Sequence, residues 1–226
     1  MSKSLSLTFP FIFLLINFFT QQALGSDENR IFSVAQKMRD VFKAVEDYAC
    51  EVEQIFYKEG IEEERYRFKF YFKKEKKIRV DFSQPYSSLT IFYHGGDKEA
   101  MVMPFRFLLA LKFKLSIDNS LIKTLSGQRI NQTDMGYFID FLFRNLNIGE
   151  QKKDEFHEDG DHIKFLLWAM DYIEEKSLEK YRISISKKYW LPLKIERLNL
   201  EDKPIETTEI KNYFINTKLE DKFFQP

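Results

Sequence analysis

Two histidines flank a predicted turn in the second half of the chain, and imidazole is well suited to bind a transition metal or to transfer protons near neutral pH. His157 and His162 stand on either side of Asp159 and Gly160, a pair typical of a tight β-hairpin. A two-residue turn at that pair places the two imidazoles opposite each other, where they can share a metal ion. Only these two firm ligands are present, and hairpin tips are commonly polar because they face water. We therefore predict no metal site and no cofactor.

Other residues that could carry out catalysis are few. The sequence contains no Gly-x-Ser-x-Gly motif, no glycine loop typical of phosphate binding, and no Cys–His pair with a plausible third member. Its single cysteine, Cys50, excludes an internal disulfide and lies in an alternating apolar stretch, which predicts a small buried hydrophobe rather than a reactive thiol. We expect a protein that is not an enzyme.

Composition and charge narrow the classes of partner. The chain has 35 basic and 35 acidic residues, so its formal net charge of +0 favours neither nucleic acid nor an anionic membrane surface as a partner. Phenylalanine is unusually frequent, with 24 residues against 2 tryptophans and 11 tyrosines. After the leader described below, about 200 residues remain, enough for one domain with a sizeable core.

The first 25 residues have the pattern of a targeting segment. Lys3 supplies a weak positive start, residues 5–19 are apolar, and small residues precede a predicted cut at Ser26. The apolar run is short for a membrane span, which needs about 20 residues. We predict that residues 1–25 are a cleaved signal peptide, with an uncleaved anchor as the alternative, and that residues 26–226 form a single domain. No cysteine stands directly after the apolar run, at the predicted cut, so the protein is not itself predicted to be a lipoprotein. The expected location is the periplasm if the source has two membranes.

Residues 65–85 form the clearest pattern in the chain. Aromatic side chains alternate with basic ones, which predicts a strand with one apolar and one wetted face. A second alternating strand follows after a charged turn at residues 73–77, so the two strands form an antiparallel pair with an aromatic wall. The apolar face consists of Tyr66, Phe68, Phe70, Phe72, Ile78, Val80 and Phe82. Such a wall requires either helices or an apolar ligand against it.

The remaining elements predict an α+β fold that is mostly antiparallel β. Residues 31–46 and 133–146 have the apolar spacing of amphipathic helices, and Thr133 or Asp134 can cap the second helix. Further alternating segments bring the total to about 8–11 strands, and a sheet of that size must curl. Residues 104–117 alternate in part but also contain a short helical pattern, so we predict a covering loop there. The predicted architecture is a curved half-open barrel plugged by two or three helices.

Two stretches of the sequence carry a resemblance to a known family. The stretch FKFYFKKEKKIRVDFSQP, followed by a Gly-Gly-Asp hairpin, resembles the LolA-like outer-membrane lipoprotein carriers of the LolA/LolB-type superfamily. The closing pattern resembles the same family at Asn216, Leu219, Asp221, Phe223 and Pro226. This resemblance implies a monomeric periplasmic carrier that shelters the acyl chains of lipoproteins, or of another lipid, between an inner-membrane donor complex and an outer-membrane acceptor.

The resemblance places the cargo in a cavity on the concave face of the sheet. Each CH₂ group exposed to water costs about 0.8 kcal/mol, so acyl chains need such shelter. The residues predicted to line the cavity are Tyr66, Phe68, Phe70, Phe72, Val80, Phe82, Leu89, Ile91, Phe138, Leu142, Ile163, Phe165 and Leu167. The alternative interpretation is that these side chains form an ordinary dry core beneath the two helices.

The resemblance also implies a latch. In the carrier family an arginine near the end of the second strand hydrogen-bonds to the lid and holds the empty form shut. Lys74 stands at the best-matching position, and lysine lacks the planar fork of arginine. Arg79 is the alternative latch residue.

Three classes of function remain at this stage. The first is the carrier, and the second is a lipid- or lipoprotein-sensing regulatory module on the same fold. A hydrolase with an unrecognised site is the third class, and it requires converging polar groups that the predicted strand faces do not supply.

Overall fold

The computed structural model describes residues 27–108, 110–146, 155–171 and 177–226. The predicted signal peptide lies outside the described residues. None of the described helices is long and apolar enough to span a membrane. The helices and strands are α1 (Asp27–Lys43), β1 (Asp47–Lys58), β2 (Ile61–Lys73), β3 (Lys77–Gln84), β4 (Thr90–Tyr93), β5 (Glu99–Met103), β6 (Phe113–Ser116), α2 (Met135–Asn145), β7 (Phe156–Asp159), β8 (His162–Met170), β9 (Leu178–Ser186), β10 (Leu191–Leu198) and β11 (Pro204–Ile215), with short 3-10 turns at Ile130–Gln132 and Asp221–Phe224.

All the described strands belong to one antiparallel sheet that curves without closing. The spatial order is β6-β5-β4-β3-β2-β1-β11-β10-β9-β8-β7, so the first and last strands of the chain pair at its centre. Several pairings contain a β-bulge, for example between Ala49 and Glu51 and between Pro192 and Lys194, and bulges bend and twist a strand. The predicted fold class is confirmed.

The two helices lie on the concave face and divide it. α1 packs on α2 and buries Ile31, Ala35 and Met38 against the half of the sheet formed by β7–β9. The α1 helix begins earlier and ends earlier than the predicted residues 31–46. Tight turns replace the helical pattern after Lys43, where the amides of Ala44 and Val45 bond three residues back.

The α2 helix covers the centre of the concave face. Of the two predicted caps, Thr133 and Asp134, it is Asp134 that caps the helix, since its carboxylate accepts a hydrogen bond from the Tyr137 amide at 3.1 Å. Leu142 and Leu146 of the predicted apolar stripe are buried, together with Ile139 and Phe141.

Residues 104–117, predicted as a covering loop, contain an edge strand. β6 pairs with β5, so that Phe113 lies opposite Val102 and Leu115 opposite Ala100. The strand forms because residues 113–116 still alternate, and an unpaired β5 offers them a hydrogen-bonding edge.

The hairpin that contains the two histidines has a different register from the predicted one. Asp159 pairs with His162, so His157 lies opposite Lys164 and not opposite the second imidazole. The turn residues are Gly160 and Asp161, one position later than expected. This register places Phe156 opposite Phe165, and their rings stack at 6.4 Å, so apolar pairing fixes it. Among the described residues no group of three or more His, Cys, Asp or Glu could hold a metal ion.

The C-terminal motif ties the end of the chain to the centre of the sheet. The buried Asp47 carboxylate accepts hydrogen bonds from the amides of Thr217, at 2.8 Å, and Leu219, at 3.2 Å. Asn216 accepts a bond from the Glu46 amide at 2.7 Å. Asp221 pairs with Lys77 at 3.0 Å and with Lys73, and these two amines lower the pKa of its carboxyl group.

Candidate functional site

An open cavity of about 660 Å³ lies between the concave face of the sheet, the segment 120–134 and α2, and its sheet wall is formed by β1–β6 and by parts of β9–β11. This volume is within the range of pockets that hold small molecules. Its wall is largely apolar and aromatic. The sheet contributes Cys50, Val52, Phe56, Tyr66, Phe68, Phe70, Val80, Phe82, Leu89, Ile91, Val102, Phe113 and Leu115. The cover contributes Leu121, Ile122, Leu125, Ile130, Met135, Phe138 and Phe141.

One end of the cavity is ionic. Arg197 contacts three carboxylates: Glu179, with Nη2 to Oε1 at 3.1 Å, Asp171 at 3.5 Å and Glu206 at 3.7 Å. Gln54 donates to the Glu206 carboxylate at 2.6 Å. Arg197, Glu206 and Gln54 all line the cavity, and the cover adds further polar side chains to an otherwise apolar lining: Ser120, Lys123, Thr124, Gln128, Gln132, Thr133 and Asp134.

Eight of the residues predicted to line a cavity do line this one. They are Tyr66, Phe68, Phe70, Val80, Phe82, Leu89, Ile91 and Phe138. The rings of Phe68 and Phe82 lie 5.3 Å apart, and those of Tyr66 and Phe82 lie 6.3 Å apart. The aromatic wall predicted from alternation is therefore continuous across β2 and β3.

The other five predicted residues are packed side chains outside the cavity. Phe72 stacks on Tyr48 at 5.1 Å and contacts Phe42. The remaining four lie in the closed cluster beneath α1 and α2: Leu142, Ile163, Phe165 and Leu167. The two helices close over the half of the sheet formed by β7–β9. The cavity lies over the other half, where side chains such as Phe70, Val80 and Ile91 line it and also belong to a second packed cluster.

Sequence reasoning missed most of the cover of the cavity. Phe113 and Leu115 come from the edge strand β6, and Leu121, Ile122 and Leu125 come from the segment that follows it. Alternation at residues 113–115 was the available signal for the strand. No local pattern indicates that the later leucines fold back over β2 and β3.

Two side chains fix the N-terminus of α2 to the sheet: Tyr48 of β1 and Lys76 of the turn between β2 and β3. The Tyr48 hydroxyl accepts a hydrogen bond from the Met135 amide at 3.2 Å. Lys76 donates to the Asn131 carbonyl at 3.2 Å, and its amine lies 3.5 Å from the buried Asp134 carboxylate. Burial raises the pKa of Tyr48 well above its ordinary value, so the hydroxyl stays protonated. α2 is thus positioned as a lid with an anchored end.

Comparisons with known proteins found matches among solved structures. No family model and no curated protein matches the sequence. Among solved structures, MucB matches 89% of this chain with a TM-score of 0.53 and 8% sequence identity. The chain has a LolA-like fold. It spans 64% of the MucB chain.

Two further solved structures match over most of both chains. A putative outer membrane lipoprotein-sorting protein domain from Vibrio parahaemolyticus has 12% identity and a TM-score of 0.46, with 88% of this chain and 97% of that one covered. A LolA superfamily protein from Nitrosomonas europaea has 13% identity and a TM-score of 0.41, with 87% and 97% covered. At these identities the likeness concerns the fold alone.

The two predicted latch residues, Lys74 and Arg79, contact segments other than α2. Lys74 donates to the Lys43 carbonyl at 3.1 Å and pairs with Glu46, at the end of α1. Arg79 alternates with the cavity residue Val80 and so points to the convex face, where it donates to the Phe223 carbonyl at 3.0 Å. Lys76 is the residue of the β2–β3 turn that reaches the lid. It has a positive φ of 54°, as in the primed turns of tight hairpins.

Amide exchange at the start of α2 tests the lid contact of Lys76. We expect Lys76→Leu to accelerate exchange of the Met135 and Tyr137 amides about fivefold, the equivalent of one hydrogen bond of about 1 kcal/mol. Lys74→Leu is the matched control and should leave the exchange unchanged, because among the described residues the Lys74 side chain bonds to the Lys43 carbonyl and to Glu46, away from α2. Hydrogen-exchange mass spectrometry measures both. Equal effects of the two variants would contradict the assignment of Lys76.

The thiol of Cys50 should be unreactive in the folded protein. Cys50 is 3% exposed, and burial raises its pKa well above the ordinary range, so it is a neutral thiol at pH 7. We expect no reaction with the charged reagent dithiobis(nitrobenzoate) in native buffer and complete reaction of one thiol in guanidinium chloride. Rapid reaction in native buffer would mean that the cavity wall admits water and anions at this position.

Proposed function

We propose that this protein is a non-enzymatic carrier that shelters acyl chains in its cavity, as part of a lipoprotein or of another lipid. One observation carries the proposal: an open and largely apolar cavity of about 660 Å³ lies over β1–β6, whereas helices close over the part of the concave face formed by β7–β9. Apolar surface left open to water forgoes about 25 cal/mol for every Å² that could be buried. An acyl chain that enters recovers this free energy for both partners.

The chemistry of the wall suits a flexible hydrocarbon. Phenylalanine, leucine and methionine side chains offer large adaptable area with few polar atoms, and Phe68, Phe82 and Phe138 line the cavity. The polar side chains of the lining come mainly from the ionic end and the cover, so the sheet wall of β3 and β4, with Val80, Phe82 and Ile91, is the surface that suits a hydrocarbon. A carrier also has to release its cargo, and contacts that are apolar and undirected permit a ligand to slide.

The wider role follows from the sequence-derived leader. We propose that residues 1–25 direct export and that residues 26–226 act as one domain in the periplasm. There the protein would receive cargo from an inner-membrane donor and deliver it to an outer-membrane acceptor. The LolA-like fold supports this assignment at the level of architecture.

Mass spectrometry of lipids that co-purify with the protein tests the proposal. We expect acylated species in near-stoichiometric amount, together with saturable binding of a fluorescent fatty-acyl probe after the lipid is removed. A protein that carries no lipid and binds no probe would contradict it.

N-terminal sequencing of the exported protein should find a start at or near Ser26, and full-length protein in washed membranes would instead indicate an anchor.

A second candidate is a sensing module that binds a protein partner on the same fold. The observation that favours it is the match to MucB, which has been crystallised in complex with MucA(peri). Under this alternative a protein co-purifies through the same surface and lipid only modulates its binding.

A further inference from the structure

Exposed apolar side chains cluster beside the cavity mouth. Of the twelve large hydrophobic residues that are exposed in the described part of the chain, six lie in residues 105–125: Phe105, Phe107, Leu108, Phe113, Leu121 and Leu125. Phe107 is 74% exposed and Leu121 is 78% exposed. A clustered apolar surface of this kind marks an interaction site more often than scattered exposed leucines do.

The two phenylalanines at the start of this cluster are held outward by the arginine between them. The Arg106 guanidinium donates to the carbonyls of Ser87, at 2.7 Å, and Phe82, at 3.0 Å, and its amide donates to Ser88 at 3.2 Å. The rings of Phe105 and Phe107 lie 5.6 Å apart. Neither ring lines the cavity, so the pair is an exposed projection on an anchored backbone and not part of the ligand wall.

The same segment is positively charged. Residues 104–125 contain four basic residues and one acidic residue, although the whole chain has a net charge of +0. The acidic residue, Asp118, is already paired with Lys123 at 3.4 Å and with Arg129 at 2.6 Å. Lys112 and Lys114 are exposed on either side of Phe113. The net charge of the whole chain therefore does not show that basic residues are concentrated in this segment.

The cluster is continuous with the cavity. Phe113, Leu121 and Leu125 are exposed and also line the cavity wall. A ligand that passes between the cavity and its surroundings at this edge therefore crosses the cluster.

We infer that residues 105–125 dock on the surface of a lipid bilayer that contains anionic lipid, and that docking brings the cavity mouth against the membrane. Apolar side chains insert at the headgroup boundary while lysines contact anionic headgroups. The exposed aromatic and aliphatic tips fit the headgroup boundary, and the excess of basic over acidic residues in the segment fits anionic headgroups. Lys112 donates to the Pro226 carbonyl at 3.0 Å and is still exposed. The inference rests on the proposed function only for the reason to dock, because the apolar and charged surface exists whatever the cavity holds.

Vesicle flotation with the full chain tests the inference. The vesicles are phosphatidylcholine alone, or phosphatidylcholine mixed with phosphatidylglycerol. We expect binding to the anionic vesicles that weakens as salt is raised. Lys112→Gln/Lys114→Gln should weaken it about 25-fold, from about fivefold for each basic residue near an anionic surface. Phe105→Ser/Phe107→Ser should weaken it at least tenfold on both vesicle types.

Matched variants elsewhere serve as controls. Phe214→Ser removes a phenylalanine on β11 that is 58% exposed, and Lys69→Gln/Lys211→Gln removes two exposed lysines from the central strands β2 and β11, away from the edge strand β6. Each control should change vesicle binding less than twofold. Because the leader is present in every variant, its own affinity for membranes cancels in the comparison.

Three results would overturn the inference. The first is equal flotation of the variants in residues 105–125 and of the controls. The second is self-association that Phe105→Ser/Phe107→Ser abolishes in analytical ultracentrifugation, and the third is a protein partner that binds residues 105–125 while vesicles do not bind. Binding of the fatty-acyl probe is measured in parallel. Loss of probe binding with intact flotation refutes the carrier and leaves docking in place, and the reverse result refutes docking alone.

Discussion

Phe68→Asp is expected to abolish acyl-chain binding while the protein stays folded. Phe68 is half-buried on β2, lines the cavity and has its ring 5.3 Å from that of Phe82. The substitution removes about 1.5–3 kcal/mol of apolar contact with a bound chain and adds a carboxylate whose desolvation costs more. We expect at least about a 100-fold loss of affinity for a fluorescent fatty-acyl probe in a titration.

The control for this experiment is Phe214→Asp. Phe214 is an exposed phenylalanine of β11 that does not line the cavity, so binding should be unchanged. Circular dichroism and thermal unfolding of both variants establish that they are folded, because a carboxylate at Phe68 can face the open cavity. Unchanged probe binding by a folded Phe68→Asp protein would exclude the cavity as the acyl site.

The neighbouring position Phe70 cannot discriminate in the same way. Phe70 also lines the cavity, but it is 4% exposed and stacks on Tyr48 at 5.9 Å. Phe70→Glu would bury part of a charge in the packed cluster and is expected to destabilise the protein strongly, whether or not the cavity binds lipid. Only the half-buried position separates loss of binding from loss of folding.

Arg197→Met is expected to lower the free energy of unfolding by about 3–5 kcal/mol. The guanidinium contacts the carboxylates of Asp171, Glu179 and Glu206, all of which are buried, and the variant leaves them together without this cation. Domains of this size are stable by about 5–15 kcal/mol, so the variant approaches the limit of folding. Guanidinium chloride denaturation at pH 7 measures the change.

Arg182→Met is the matched control for the buried arginine. Arg182 pairs with Glu196 at 3.3 Å, but its side chain is 53% exposed, and exposed ion pairs contribute about 0–1 kcal/mol. Adding Glu179→Gln to Arg197→Met should restore part of the stability, because it removes one of the buried charges. Equal losses for Arg182→Met and Arg197→Met would show that the ionic end of the cavity is solvated.

The sequence predicts the elements well because their signals are local. Alternation between aromatic and basic residues establishes which side chains of β2 share a face, and capping chemistry limits the start of α2 to Thr133 or Asp134. The hairpin register was wrong by one position, since Asp159 and Gly160 marked the turn only approximately. The stacking of Phe156 on Phe165 selects the register, and it depends on the shared core of β7 and β8.

The sequence by itself determined the antiparallel class, the two helices and the aromatic face of β2 and β3. Only the tertiary structure decided what covers that face. Phe70 and Phe72 are two residues apart on one face, yet Phe70 borders the cavity while Phe72 is packed against Tyr48 and Phe42. Local periodicity fixes the direction of a side chain, but the position of a helix over it depends on contacts between distant parts of the chain.

The difference between local pattern and tertiary contact also explains the contact of Lys76 with α2 and the basic residues of segment 104–125. Lys74 and Lys76 belong to one turn, and Lys76 reaches the cap of α2 because the chain brings Asn131 and Asp134 above it. The basic residues of segment 104–125 are balanced in the sum by acidic residues elsewhere, so total charge gave no sign of them. Spacing along the chain limits which residues share a surface, whereas folding selects the surface that stays open.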